Sequence, residues 1–241
     1  MQKNTEGLVL RTIKYGETSI ISTLFTRDFG IQAYLIRGAR SNRKTGIQAN
    51  YFQIGQILNI SVDYKPGKNL HYIKEVRLNS KNAIQSQNIV KQSIIQYCSE
   101  LVLRCVKEEE KNESLFSFLA LFFDKVSSLT KENVALAPIH FTLQFAAKIG
   151  FEIYDNHSES KPFFDALHGS FCAEISENAY TSDKEVSDLI QRCLSGSSLS
   201  AIRQSVREKT LQDLIRFLNI QIEQMGEIKS VAILHQILHG E

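Results

Sequence analysis

Residues 6–78 contain five strand-like runs, the clearest of them alternating apolar and polar positions with a period of two, and the spacing turns helical beyond residue 82. Gln56–Tyr64 is the clearest strand: Leu58, Ile60, Val62 and Tyr64 share one face, and Asn59, Ser61 and Asp63 the other. Four more runs read the same way: Gly7–Lys14, Ser19–Thr26, Ile31–Arg37 and Leu70–Leu78, all rich in β-branched and aromatic residues. Tyr15-Gly-Glu-Thr18, Asp28-Phe29-Gly30 and Pro66-Gly67 supply turn chemistry between them, the last fitting the central positions of a type II turn. Five short strands in under 80 residues predict a small closed barrel, since closure removes sheet edges. An OB-like barrel fits, and on strand count alone an SH3-like barrel fits nearly as well.

The later pattern predicts helices over Ala83–Val106, Glu113–Leu129, a segment from Thr130 through Pro138 to about Gly150, Asp183–Cys193, Leu199–Ile222 and Val231–Leu238. Phe116, Phe118, Phe122, Phe123, Phe141 and Phe145 form an aromatic stripe that reads as core. Residues 151–182, with their acids, Pro162 and Gly169, read as an irregular insert. The expected class is therefore α+β: a barrel domain at 1–80 and a helical domain at 81–241.

Charge sharpens this division. Residues 1–80 carry 12 Lys/Arg against 5 Asp/Glu, a net +7, whereas the remainder carries 16 against 21, a net −5. Such asymmetry predicts an anionic partner for the barrel, with nucleic acid foremost. Arg37, Arg40, Arg43 and Lys44 fall within eight residues, separated by Gly38, Ala39, Ser41 and Asn42 without an intervening acid. Arginine and lysine at that density offer phosphate-matching donors, and small neighbours let a ligand approach the backbone. Arg11, Arg27, Lys65 and Lys68 are candidate extensions of the basic surface, and Tyr34, Tyr51, Phe52 and Tyr64 are candidate base-stacking or core aromatics. Arg203, Arg207, Lys209 and Arg216 lie on or near the polar side of the longest late helix.

Catalytic signatures are missing. The sequence has no phosphate-binding Gly-x-x-x-x-Gly-Lys loop, no Gly-x-Gly-x-x-Gly after a strand, no nucleophile elbow and no His-Glu-x-x-His. Cys98, Cys105, Cys172 and Cys193 form no Cys-x-x-Cys pair and read as reduced thiols. His157, His168 and Cys172 are three loosely spaced metal-capable residues without a fourth partner. No cofactor, no metal and no enzymatic activity are expected. The chain also lacks a secretory leader pattern and any apolar run of about 20 residues, so a cytoplasmic protein is expected.

Four ordered motifs in the first third resemble the RecO family of bacterial DNA repair proteins: Glu6-Gly-Leu-Val-Leu-Arg11, Tyr15-Gly-Glu-Thr18, Leu24-Phe-Thr-Arg-Asp-Phe-Gly30 and Arg37-Gly-Ala-Arg40. Gly226-Glu-Ile-Lys-Ser230 with Leu234-His235 is similar to that family's C-terminal segment. The resemblance implies an N-terminal OB barrel, a helical C-terminal domain and a nucleoid-associated recombination mediator. Such a mediator binds single- and double-stranded DNA and anneals complementary strands. With RecR it helps load RecA onto DNA coated by single-strand-binding protein, whose acidic tail docks on the helical domain. For that tail the expected residues are Arg203, Arg207 and Arg216. Many relatives carry a four-cysteine zinc motif in the irregular segment; here only Cys172 falls near such a position, so zinc is not carried over. Two other classes stay open: a module gripping RNA or an acidic protein, and a nuclease with a dispersed site.

Overall fold

The first strand is long because it serves two neighbours. In the computed structural model, which describes residues 2–41, 46–79, 88–107, 110–175, 180–197, 199 and 202–239, β1 runs Gln2–Tyr15. Its first half pairs with β4 (Ile57–Asp63) and its second half with β2 (Ser19–Thr26), both antiparallel. The polar start Gln2-Lys-Asn-Thr-Glu6 shows no apolar alternation, so the pattern alone placed the strand's beginning at Gly7; pairing with β4 holds the earlier residues in the sheet. β3 (Gly30–Ile36) lies against β2, and β5 (His71–Leu78) lies parallel to β3 and antiparallel to β4. The order β1-β2-β3-β5-β4 closes as a barrel, and this five-stranded order fits the OB-like expectation.

Val9, Leu24, Tyr34, Ile36, Phe52, Leu58, Ile60 and Val62 fill the interior. A bulge between Val9 and Arg11 then changes the parity of β1. Leu8, before the bulge, and Leu10, the bulged residue, are buried although they do not belong to the interior cluster; after it, Arg11, Ile13 and Tyr15 point out and Thr12 points in, donating to the Phe52 carbonyl at 2.8 Å. Gly7 leaves room for Leu24 against this strand: a Cβ there would lie 2.7 Å from Leu24 Cδ2, and that side chain would have to shift.

The chain divides into two compact units, residues 1–128 and 129–241. The first includes α1 (Ile89–Cys105) and α2 (Glu113–Ser128) beside the barrel, so contact divides the chain later than the change of periodicity at residue 80 does. α1 packs on β1, and Phe116 of α2 stacks on Phe25 with ring centroids 6.2 Å apart. Of the aromatic stripe, Phe116, Phe123, Phe141 and Phe145 are buried, and Phe118 and Phe122 are half-buried.

The second unit corrects three helix boundaries. The segment expected from Thr130 to Gly150 is two helices, α3 (Lys131–Val134) and α4 (Ala137–Lys148), because Pro138 lacks the N–H a continuing turn needs and instead sits in the first turn of α4. α5 is Lys184–Leu194, capped by Asp183, whose side chain accepts from the Val186 N–H. α6 begins at Gln204, not Leu199, and ends at Gln221; α7 is Ser230–His239. No helix among the described residues is long and apolar enough to cross a membrane.

The segment expected to be irregular contains a two-stranded sheet, β6 (Phe163–Asp165) with β7 (Ser170–Cys172). Its staples are ordinary packing and hydrogen bonds. Asn156 both accepts from the Phe171 N–H (2.7 Å) and donates to the Phe171 carbonyl (3.1 Å). Phe164 meets Phe171 and Phe217 edge-on, and its N–H donates to Ser187 Oγ on α5. Ser182 donates to the buried Asp213 of α6 at 2.6 Å. Cys172 donates to the Glu174 carbonyl and has no second thiol near it, so these residues do not fit a four-cysteine zinc site. His168 Nδ1 lies 2.6 Å from Asp165, and His157 Nε2 lies 3.5 Å from Asp188, so the candidate metal residues are drawn into separate pairs. No group of three or more His, Cys, Asp or Glu able to hold a metal ion occurs among the described residues. Burial pushes the Cys105 and Cys193 thiols up to about 12.

Gly169 turns this hairpin at φ 62°, and a Cβ on it would lie 2.8 Å from the Phe217 ring. Gly169→Ala should therefore cost about 2 kcal/mol or more, from left-handed strain plus collision. Gly196→Ala, at φ 67° with nothing within 4 Å, should cost only the backbone share of roughly 1 kcal/mol. Urea midpoints of the two variants check the difference; equal shifts would mean that Phe217 yields freely.

Candidate nucleic-acid interface

Two of the sequence motifs meet in space. β1 and β2 are joined by a turn at Gly16-Glu17-Thr18, and β3 runs into a second turn at Arg37-Gly38-Ala39-Arg40. The Arg40 N–H donates to the Thr18 carbonyl at 2.8 Å, pinning one turn to the other. Gly38 adopts φ 67°, Ser41 closes the turn by donating to the Gly38 carbonyl, and Ala39 is buried and accepts from the Ala49 N–H. A buried alanine between two arginines anchors the turn and leaves both side chains in solvent: Arg37 and Arg40 are exposed.

The strand register places further cations on the same outer surface. Exposed Arg11 stands opposite Thr23 of β2, and Thr23 stands opposite Ala33 of β3. Lys65 and Lys68 are exposed at the ends of the β4–β5 turn, where Gly67 takes φ 77° and the Lys68 N–H donates to the Lys65 carbonyl, as the Pro66-Gly67 turn predicts. In OB barrels the β2–β3 face and the loops joining β1–β2 and β4–β5 form the usual oligonucleotide surface; of the expected cations, Lys65 and Lys68 flank the β4–β5 turn, Arg40 is bonded through its backbone to the β1–β2 turn with Arg37 beside it, and Arg11 lies on β1 next to β2. Arg43 and Lys44 lie outside the described residues.

Arg27 is occupied elsewhere. Its guanidinium donates twice to Glu6 (2.6 and 2.8 Å), lies 3.5 Å from Glu113 of α2 and rests 4.5 Å above the Phe116 ring. Glu6 also accepts from Asn79, so this cation clamps β1, the β2 end and α2 together, and its guanidinium is engaged within the unit.

The proposed stacking aromatics divide. Tyr34 and Phe52 are interior, and burial pushes the Tyr34 phenol above its ordinary range, with nearby Tyr64 adding to the rise. Tyr64 is half-buried between Phe29 (4.1 Å) and His71 (5.0 Å), and Tyr51 packs partly on the interior. The exposed rings are ones that sequence reasoning passed over: Tyr15 is 53% exposed and Tyr72 40%, with the Arg37 guanidinium 5.1 Å above the Tyr72 ring. The signal for Tyr15 was present in the odd-numbered series Arg11, Ile13, Tyr15, but the bulge that puts this series outside is not legible in composition.

In the second unit, Arg203, Arg207 and Arg216 do not form one cluster. Arg203 is the N-cap of α6 and pairs with Glu185, which offsets a cation at the positive end of a helix. Arg216 pairs with the buried Asp213 at 2.9 Å. Lys209 is held by Asp183, and that hydrogen bond raises its ammonium above the ordinary range. Arg207 donates to the Ile202 carbonyl, a neutral acceptor, and lines a mainly apolar pocket between α4, α6 and α7 with Ala135, Pro138, Ile139, Leu211 and Leu238, whose polar lining also includes Gln204, Glu208 and His235.

Comparison with known proteins agrees with this architecture. The N-terminal model of recombination protein O matches residues 1–81, and its C-terminal model matches residues 86–230. The chain belongs to the recombination protein O family. Its relatives include the DNA repair protein RecO of Christiangramia forsetii, 26% identical over 97% of this chain and 98% of the relative. That of Flavobacterium psychrophilum is 27% identical over 98% and 99%, and that of Chlorobium phaeobacteroides is 31% identical over 61% and 56%. The family and the closed barrel together make this a RecO-type DNA repair protein with a helical C-terminal region.

Replacing Arg27 should act on stability and replacing Arg37 on binding. Arg27→Ala, which removes a clamp less than one-third exposed, should lower the unfolding free energy by about 1–2 kcal/mol. Arg37→Ala should stay within about 0.5 kcal/mol of wild type. Denaturant titration checks both; an Arg27→Ala protein as stable as wild type would dissolve the clamp assignment.

Proposed function

We propose that this protein is a non-enzymatic recombination mediator. Its barrel binds single- and double-stranded DNA through Arg11, Arg37, Arg40, Lys65 and Lys68, with Arg43 and Lys44 extending the basic run. The reading is carried by one observation: the motif arginines Arg37 and Arg40 are exposed on a turn pinned to the β1–β2 loop, on the side of an OB-like barrel that such folds use for oligonucleotides. The net +7 of the first 80 residues supports it.

Annealing follows without a catalytic group. Phosphate repulsion opposes the approach of two strands, and a basic surface that neutralises part of each backbone lowers that barrier while the bases find their partners. In this reading the protein acts in the cytoplasm on the nucleoid. With RecR it helps RecA replace single-strand-binding protein on DNA. The acidic tail of that coat protein enters the pocket between α4, α6 and α7: its apolar side chains meet Pro138, Ile139 and Leu211, and its carboxylates meet Arg207. Arg203 and Arg216, each already paired with a carboxylate, are secondary.

Two measurements test this. Binding of a labelled single strand across a salt series should be steep for wild type. Changing Arg37, Arg40, Lys65 and Lys68 together to Ala should flatten the slope by about 0.7 per lost phosphate contact, or roughly 3 in all. Annealing should proceed without nucleotide or divalent metal; an absolute need for ATP, or strand cleavage, would overturn the mediator reading. For the second unit, an acidic tail peptide should lose about tenfold in affinity to Arg207→Ala, as expected for a charge-assisted contact, and much less to Arg216→Ala. The reverse ranking would move the tail off this pocket.

A further inference from the structure

The basic barrel face carries an apolar strip that phosphate contacts do not explain. Register across four strands aligns Ile13 of β1 with Ile21 of β2, Ile21 with Leu35 of β3, and Leu35 with Tyr72 of β5. Ile13 is 42% exposed, Tyr15 at the end of β1 is 53% exposed, and Tyr72 is 40% exposed. Within this row Leu35 is buried and Ile21 half-buried, so the apolar surface open to solvent is Ile13 and Tyr15 on β1 and Tyr72 on β5, and exposed apolar side chains grouped on one face mark an interaction surface. Arg11 lies next in the outward series at one end, and Arg37 lies at the other.

Arg37 and Tyr72 form a unit within this strip. The guanidinium sits 5.1 Å from the ring centroid, and its Nη2 is 3.4 Å from the Tyr72 hydroxyl. The cation holds the ring in one orientation and adds its own planar, weakly hydrated surface beside it. A duplex presents phosphates to such a face and keeps its π-faces stacked inside, so the apolar strip gains nothing from it. An unpaired strand presents both: phosphates for the flanking cations and bases for the ring and the aliphatic row.

We propose that Tyr72, positioned by Arg37, is a base-stacking platform, with Tyr15 and Ile13 continuing the strip, and that it gives this barrel preference for unpaired strands over duplex. The inference rests on the nucleic-acid reading of the same face. It differs from that reading in assigning strand-state selectivity to an uncharged side chain.

The chain contains no tryptophan, so Tyr72→Trp places a single fluorophore at the site. The full-length protein is titrated with oligo(dT), with an abasic strand of equal length and charge, and with duplex. Oligo(dT) should bind wild type at least tenfold more tightly than the abasic strand, and Tyr72→Ala should erase most of that advantage without changing the salt slope. Emission from Tyr72→Trp should be quenched by oligo(dT) and unaffected by the abasic strand. A wild type that binds base-bearing and abasic strands equally would overturn the stacking inference and leave the phosphate reading intact. A wild type that binds neither at low salt would overturn both. Selective oligo(dT) binding that Tyr72→Ala leaves unchanged, with unquenched Trp emission, would also remove the platform and assign the strip to a protein partner.

Discussion

Closure of one five-stranded sheet governs the first unit. A closed barrel has no free edge, so most backbone donors on its strands are committed and side chains and loops are what chiefly meet a ligand. Which side chains face out is then fixed by register, and β1 is where register is most constrained, since it must satisfy β4 with one half and β2 with the other. The bulge between Val9 and Arg11 reconciles these demands. It also separates two kinds of outer surface. Leu8 before the bulge and Leu10 within it are buried, and Arg11, Ile13 and Tyr15 are exposed beyond it. One inserted residue thus turns a strand that builds core into a strand that presents a binding face.

Seen from this constraint, the family motifs fall into two roles. Glu6-Gly7 and Arg27-Asp28-Phe29-Gly30 hold the barrel together. Glu6 and Arg27 form an ion pair under Phe116, Gly7 makes room for Leu24, and Thr26 Oγ1 both donates to the Gly30 carbonyl and accepts from the Phe29 N–H. Tyr15-Gly-Glu-Thr18 and Arg37-Gly-Ala-Arg40 display it, and the Arg40–Thr18 backbone bond makes their two turns one surface. A basic residue inside a motif is therefore no guide to its role. Arg27 and Arg37 have equal charge, but one lies on carboxylates and an aromatic ring of α2 and the other lies in solvent over Tyr72.

This distinction marks how far the sequence could be read. Strand number, most strand boundaries, the Pro66-Gly67 turn and the basic turn after β3 were legible, because period-two alternation and turn residues are local properties. The long start of β1 was not, because polar residues enter a strand only when a partner such as β4 recruits them. Core burial was the expected fate of at least two of Tyr34, Tyr51, Phe52 and Tyr64, and Tyr34 and Phe52 take it; Tyr72 was passed over for a related reason, since Tyr34 and Tyr72 look alike in sequence and only register puts the first inside and the second outside. In the second unit, Pro138 was visible but its effect was underestimated, and the α6 arginines looked available until Glu185 and Asp213 were found beside two of them.

The hairpin at residues 163–172 makes the same point in thermodynamic terms. It lies in a segment, residues 151–182, whose Ser, Asn and acidic residues leave it short of the apolar surface needed to offset the entropy of ordering it. Here it borrows that surface from α6: Phe164 packs on Phe217, while Ser182 reaches Asp213 and the Phe164 N–H reaches Ser187 of α5. Asn156 adds a two-point backbone clasp to the strand carrying Phe171. A cluster of thiolates around a metal would fix such a segment by coordination; a phenylalanine core and a few buried hydrogen bonds fix it by packing against a helix that is already ordered. The order of this hairpin therefore depends on α6, so damage to Phe217 or Asp213 should loosen a segment more than 30 residues upstream in the chain, a coupling that no local reading of residues 151–182 reveals.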